Sequence, residues 1–102
     1  GGMVMNGVGF PVLFDRIRGK DREFILKKRL HAVLSYEDGL FFVEDERFNI
    51  LGYGPTRREA VRAFQRCFEF LWHEYAEADD RELTSDAKRL KETLQSIVES
   101  SR

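Results

Sequence analysis

Arg58, Arg62 and Arg66 recur at every fourth position, with Arg57 beside the first of them. On a helix this spacing stacks three guanidinium groups in one ridge, a geometry suited to an anion such as a phosphate or a carboxylate. The arrangement carries a cost. Like charges four apart destabilise a helix by about 0.2–0.5 kcal/mol per pair, and cations near a helix start oppose its dipole. Such a ridge either serves an anionic partner, RNA or an acidic protein, or is neutralised within the chain by Glu59, Glu69 or acids on neighbouring strands.

The other chemistry-bearing residues stand apart from one another. His31 falls on the polar parity of a strand and His73 on a polar helix face near Glu69; neither has a second ligand at metal-binding spacing. Glu44, Asp45 and Glu46 are consecutive, and consecutive strand residues point apart, so a solvated turn is expected rather than a cation site. Cys67, the only cysteine, lies at the edge of an apolar stripe and reads as a small core hydrophobe in a reducing, cytoplasmic setting. No serine sits in a nucleophile elbow, and no nucleophile, base and orienter can be drawn together. The chain is therefore read as non-enzymatic, with no catalytic, metal or cofactor residue. The stretch Gly52-Tyr53-Gly54-Pro55-Thr56 lacks the third glycine of a dinucleotide fingerprint and the Lys-Ser/Thr of a P-loop. It reads as a joint between a strand and a helix.

The elements that position these residues follow from periodicity. Strands are expected over 10–17, 22–36, 40–46 and 47–53. In the second, Phe24, Leu26, Leu30, Ala32 and Leu34 share one parity, broken by Lys28, which predicts a half-buried strand bulged near Lys27–Lys28. Asp38-Gly39 predicts a hairpin turn to the third strand, so the pairing is antiparallel. Thr56 and Glu59 form a capping box that opens a helix over about 56–78. Its stripe of Val61, Phe64, Phe68, Leu71 and Tyr75 is widened by Ala60, Ala63, Cys67, Phe70 and Trp72. One sheet needs only about a 100° stripe, so a second surface is expected against this helix, either the next helix or another subunit. Thr84 caps a second amphipathic helix to about 100. The fold class is α+β: an antiparallel sheet of three to four strands in the order ββββαα, covered on one face by a long helix, with a second C-terminal helix.

The 102 residues suit one domain over 10–100, and Gly1 and Gly2 ahead of Met3 read as an appended remnant, with residues 1–9 outside the fold. A net charge of −1 makes no general case for nucleic-acid or membrane binding. No apolar run approaches the ~20 residues of a membrane span, and the start lacks a signal-peptide pattern.

Residues 30–75 resemble the HicB-like antitoxin superfamily. The resemblance rests on the order strand, Glu37-Asp38-Gly39 turn, strand, short segment, then Gly54-Pro55-Thr56-Arg57-Arg58-Glu59-Ala60 opening a helix. It covers under half of the chain. It implies an antitoxin-type or regulatory role with a small toxin-like partner. The chain departs from the family pattern in having no second recognition helix at its C-terminus and an additional strand at 10–17.

Together these readings describe an interaction module that dimerises or binds a partner through its sheet edge and wide helix. Tyr53, Phe70 and Trp72 are expected at the interface, and Arg58, Arg62 and Arg66 are the candidate anion contacts. The alternative is an RNA- or nucleotide-binding regulator that uses the arginine ridge.

Overall fold

The computed structural model describes residues 9–102; the expectation for the extreme N-terminus therefore lies outside the described residues, except for Gly9, which is exposed. The elements are β1 (Phe10–Arg18), β2 (Glu23–Glu37), β3 (Leu40–Asp45), β4 (Ile50–Gly54), α1 (Arg57–Leu71), α2 (Ser85–Ile97) and β5 (Val98–Ser101). A π-helical turn, Trp72–Ala76, extends α1, and a 3-10 turn, Asp80–Glu82, precedes α2. This is the expected α+β architecture with its ββββαα order. One element was not anticipated: the last residues leave the helix at Ile97 and form β5.

The sheet runs β1-β2-β3-β4, all antiparallel, and β5 pairs with β2. Strand β2 is its spine. Near its start Phe24 and Ile25 pair with β1 on one flank and with β5 on the other; near its end Val33 and Leu34 lie between β1 and β3. The parity reading holds, with Phe24, Leu26, Leu30, Ala32 and Leu34 buried and Lys28 exposed. The irregularity at Lys27–Lys28 is also present. Phe14 faces Leu30 and Arg16 faces Ile25, so the residues from Leu26 to Arg29 stand opposite Asp15 alone. The bulge lets Lys27, Lys28 and Arg29 all reach solvent, and Arg29 donates to Asp15 at 3.0 Å.

The β2–β3 turn has positive φ at both Asp38 (53°) and Gly39 (82°), the requirement of a two-residue type I′ hairpin. Between β3 and β4 the chain turns over residues 46–49, where a strand was expected to begin. Asp45 causes this: its Oδ1 accepts the Arg47 N–H at 2.9 Å, and Asn49 adopts φ 57°.

Helix α1 starts as its capping residue dictates, with Thr56 Oγ1 accepting the Glu59 N–H at 3.1 Å. It buries Ala60, Phe64 and Phe68 against the sheet. Phe64 stacks on Phe14 with ring centroids 5.1 Å apart, and Phe68 meets Phe24 edge-on at 5.3 Å. Gly52 and Gly54 explain the abrupt corner between β4 and α1. A Cβ on Gly52 would sit 2.6 Å from the Ala60 carbonyl oxygen and collide with the Phe64 backbone, and one on Gly54 would lie 2.8 Å from the Glu59 Cβ. The glycines let helix backbone rest on strand backbone.

The second surface expected for α1 is partly supplied by α2, which packs on the π-helical turn and on β2 and buries Leu94 and Ile97 in the common core, joined there by Val98 of β5. Two polar residues of α2 have tertiary partners. Lys91 Nζ donates to the Ala78 carbonyl and to Asp80, and Gln95 donates to the Ala76 carbonyl at 3.0 Å. They satisfy carbonyls left open where the long helix ends.

Candidate functional site

Two surfaces of the molecule carry unsatisfied chemistry. The first is an open groove of about 690 Å³ between α1 and the β1–β2 turn. One wall is the ridge Arg58, Arg62 and Arg66, with Arg57 at its end; the other is Arg18, Gly19 and Lys20. Val61 and Gln65 complete the lining, which contains no acidic residue.

The tertiary structure decides why this groove stays cationic. Glu69, one of the residues that could have neutralised the ridge, is held by the turn. Its carboxylate accepts the backbone N–H groups of Lys20 (2.8 Å), Asp21 (3.0 Å) and Arg22 (2.8 Å). Burial opposes ionisation of Glu69, but those three donors, reinforced by the Arg22 charge, outweigh it and hold the carboxyl below its ordinary pKa. A Cβ on Gly19 would run into this carboxylate, so glycine gives it room. Glu23 is likewise occupied, pairing with Arg16 (3.3 Å) and Arg18 (3.2 Å). Arg57 lies over the Phe41 ring at 5.9 Å. Among the described residues Arg58, Arg62, Arg66 and Lys20 have no ion-pair partner within 4.0 Å. Gln65 accepts the Arg18 N–H at 2.8 Å and ties the two walls together.

The second surface is the face of the sheet turned away from the helices. The register aligns Leu13 with His31, then Pro11, Val33, Glu44 and Leu51, then Ser35, Phe42 and Tyr53. Leu13 (48%), Val33 (50%), Leu51 (47%) and Tyr53 (60%) remain largely exposed, and Tyr53 stands beside Phe42. Antiparallel sheets with one solvated face ordinarily alternate apolar-in with polar-out. At this end of the sheet the outer face is mainly apolar, whereas Arg16 and Ile25, then Arg18 and Glu23, form its rows at the other end.

The three residues expected at an interface do not share a surface. Tyr53 belongs to the outer sheet face. Phe70 is exposed on α1, in the layer of helices. Trp72 is half-buried, its ring 5.4 Å from that of Phe24. Sequence reasoning missed Leu13, Val33 and Leu51 as surface residues, although strand alternation carried the signal once the inner parity was known. It also missed Arg18 and Lys20, which join the arginine ridge only through folding.

The remaining candidates are dispersed. His31 is exposed on the outer sheet face; His73 is exposed beside Glu77, its Nδ1 3.5 Å from Oε1. Glu77 itself is held by Arg22 at 2.6 Å, which lowers its pKa. Cys67 is half-buried against the core. Asp45, read as part of a solvated turn, is buried, and its Oδ2 has no hydrogen-bond partner. Among the described residues no three His, Cys, Asp or Glu side chains converge as metal ligands, and no helix is long and apolar enough to cross a membrane. In comparison with known proteins, no family model, no curated protein and no solved structure matches the chain.

Proposed function

We propose that this chain is a non-enzymatic protein-interaction module, HicB-like in its order of elements, that associates with a second copy of itself through the outer face of its sheet. The observation that carries this reading is the set of Leu13, Val33, Leu51 and Tyr53, exposed together in adjacent rows of one face. Apolar area left contiguous in water favours association. A net charge of −1 adds little repulsion between two copies, and Glu44 and His31 on the same face provide an acceptor and a donor for a two-fold contact. The Gly54-Pro55-Thr56 joint and the Asp38-Gly39 turn support the HicB-like reading, and with it an antitoxin-type or regulatory role in which a small toxin-like protein is a further partner. Cys67 as the single thiol fits a cytoplasmic setting.

The test is the mass in solution over a wide concentration range. The wild-type chain is expected to dimerise, Leu51→Lys and Tyr53→Lys to shift it towards monomer, and Phe70→Glu to leave the dimer intact. A monomer at every concentration removes the reading. A dimer broken by Phe70→Glu and insensitive to the sheet-face changes moves the contact to the helix layer.

A further inference from the structure

The geometry points to the groove between α1 and the β1–β2 turn as a binding site for the phosphate backbone of a nucleic acid, gripped without reading its bases. This site lies on the helix-covered side of the sheet and does not depend on association through the outer face.

Three observations lead there. The first is charge in excess: Arg58, Arg62, Arg66 and Lys20 line one groove whose lining holds no acidic residue, and the two carboxylates at its edge are held by other donors, Glu69 by the turn N–H groups and Glu23 by Arg16 and Arg18. The chain as a whole is at −1, so this is a local concentration of positive charge and not a general excess. The second is placement against the helix dipole. Residues 57–66 hold four arginines and one glutamate at the positive end of α1. Cations at the helix start oppose its dipole, a cost that an anionic ligand offsets. The third is shape. Four residues of helix advance about 6 Å, so the ridge presents guanidinium groups at regular steps over about 12 Å, in an open groove rather than a closed cavity.

These features select among anions. Regular steps along an open groove suit a chain of repeated charges better than one compact phosphate. Arginine forks match phosphate oxygens bidentately. The groove has no aromatic residue in its lining, so it offers no stacking platform for bases; Phe64 and Phe68 of α1 are buried, and the exposed Phe70 does not line the groove. Contacts confined to phosphate are indifferent to sequence and sensitive to salt.

The experiment measures fluorescence anisotropy of a labelled oligouridylate RNA titrated with the full chain at several salt concentrations. The comparison is with the triple variant Arg58→Gln, Arg62→Gln, Arg66→Gln and with Arg81→Gln, which lies outside the groove. Glutamine retains helix propensity close to that of arginine, and removal of like-charge neighbours leaves the helix at least as stable, so circular dichroism is expected to be unchanged. Three ridge phosphates on a single strand contribute about −2 to the slope of log K against log salt. The triple variant is expected to lose that slope and at least about tenfold in affinity, with Arg81→Gln unaffected. Absence of RNA binding by the wild type, or binding that survives the triple change, overturns the proposal. Equal or tighter ridge-dependent binding of labelled polyglutamate overturns it in favour of an acidic protein partner.

Discussion

Glu69 shows how one side chain sets the character of a surface. By accepting three backbone N–H groups from the β1–β2 turn, it anchors the helix to the hairpin and makes no direct ion pair with Arg62 or Arg66. Hydrogen bonds to a charged group contribute more than neutral ones, so Glu69→Ala is expected to lower stability by about 2 kcal/mol near neutral pH in denaturant unfolding. The sign with pH follows from the lowered pKa. The stabilisation is complete above the ordinary glutamate value and is lost as pH falls through the lower folded value, so the gap between wild type and variant narrows in acid. Asp45 behaves oppositely. Burial raises its pKa, against the opposing Arg47 N–H and charge. Its contribution is present below the ordinary aspartate value and lost as pH rises through the raised folded one. Asp45→Asn keeps the amide oxygen that can accept from Arg47 and removes the buried charge; its stability is expected to stay flat across the interval in which the wild type declines.

Among the elements, the β4–α1 corner carries the tightest constraint. Gly52 is buried against the backbone of Ala60 and Phe64, so the added methyl of Gly52→Ala meets atoms that cannot rotate away. Overpacking of this kind costs about 1–3 kcal/mol, and here α1 is expected to shift from the sheet and loosen the Phe14–Phe64 stack, measured as a lower unfolding midpoint and altered near-ultraviolet dichroism. Helix α1 illustrates the division of labour along one element. Its middle faces the sheet, its arginine side faces the groove, and its π-helical end is received by α2. Phe70 is left exposed after α2 has taken its share, so the width of the apolar stripe was met mostly within the chain.

At the scale of the whole fold, the described residues, 43 × 27 × 21 Å, present an apolar patch on the outer sheet face and a cationic groove on the helix-covered side. Because the proposed dimer uses only the outer face, its thermal midpoint is expected to rise with protein concentration, and Leu51→Lys to abolish that dependence. The arginine variants are expected to leave it intact. Separate responses of this kind distinguish two independent surfaces from one.

Strand parity, the Asp38-Gly39 hairpin, the bulge near Lys27–Lys28, the Thr56 cap and the helical stripe were all legible in the residues alone, because each is set by neighbours a few positions away. The arginine ridge was legible for the same reason. What covers or neutralises a surface was not. Glu69 meets Lys20 across 49 positions, β5 reaches β2 from the far end of the chain, and Arg18 and Lys20 become the second wall of the groove only when the hairpin folds against the helix. Whether an arginine is paired, whether Trp72 is inside, and whether Asp45 is wet depend on which distant segment arrives beside them. That is fixed by packing of the entire core and has no periodic trace in the sequence.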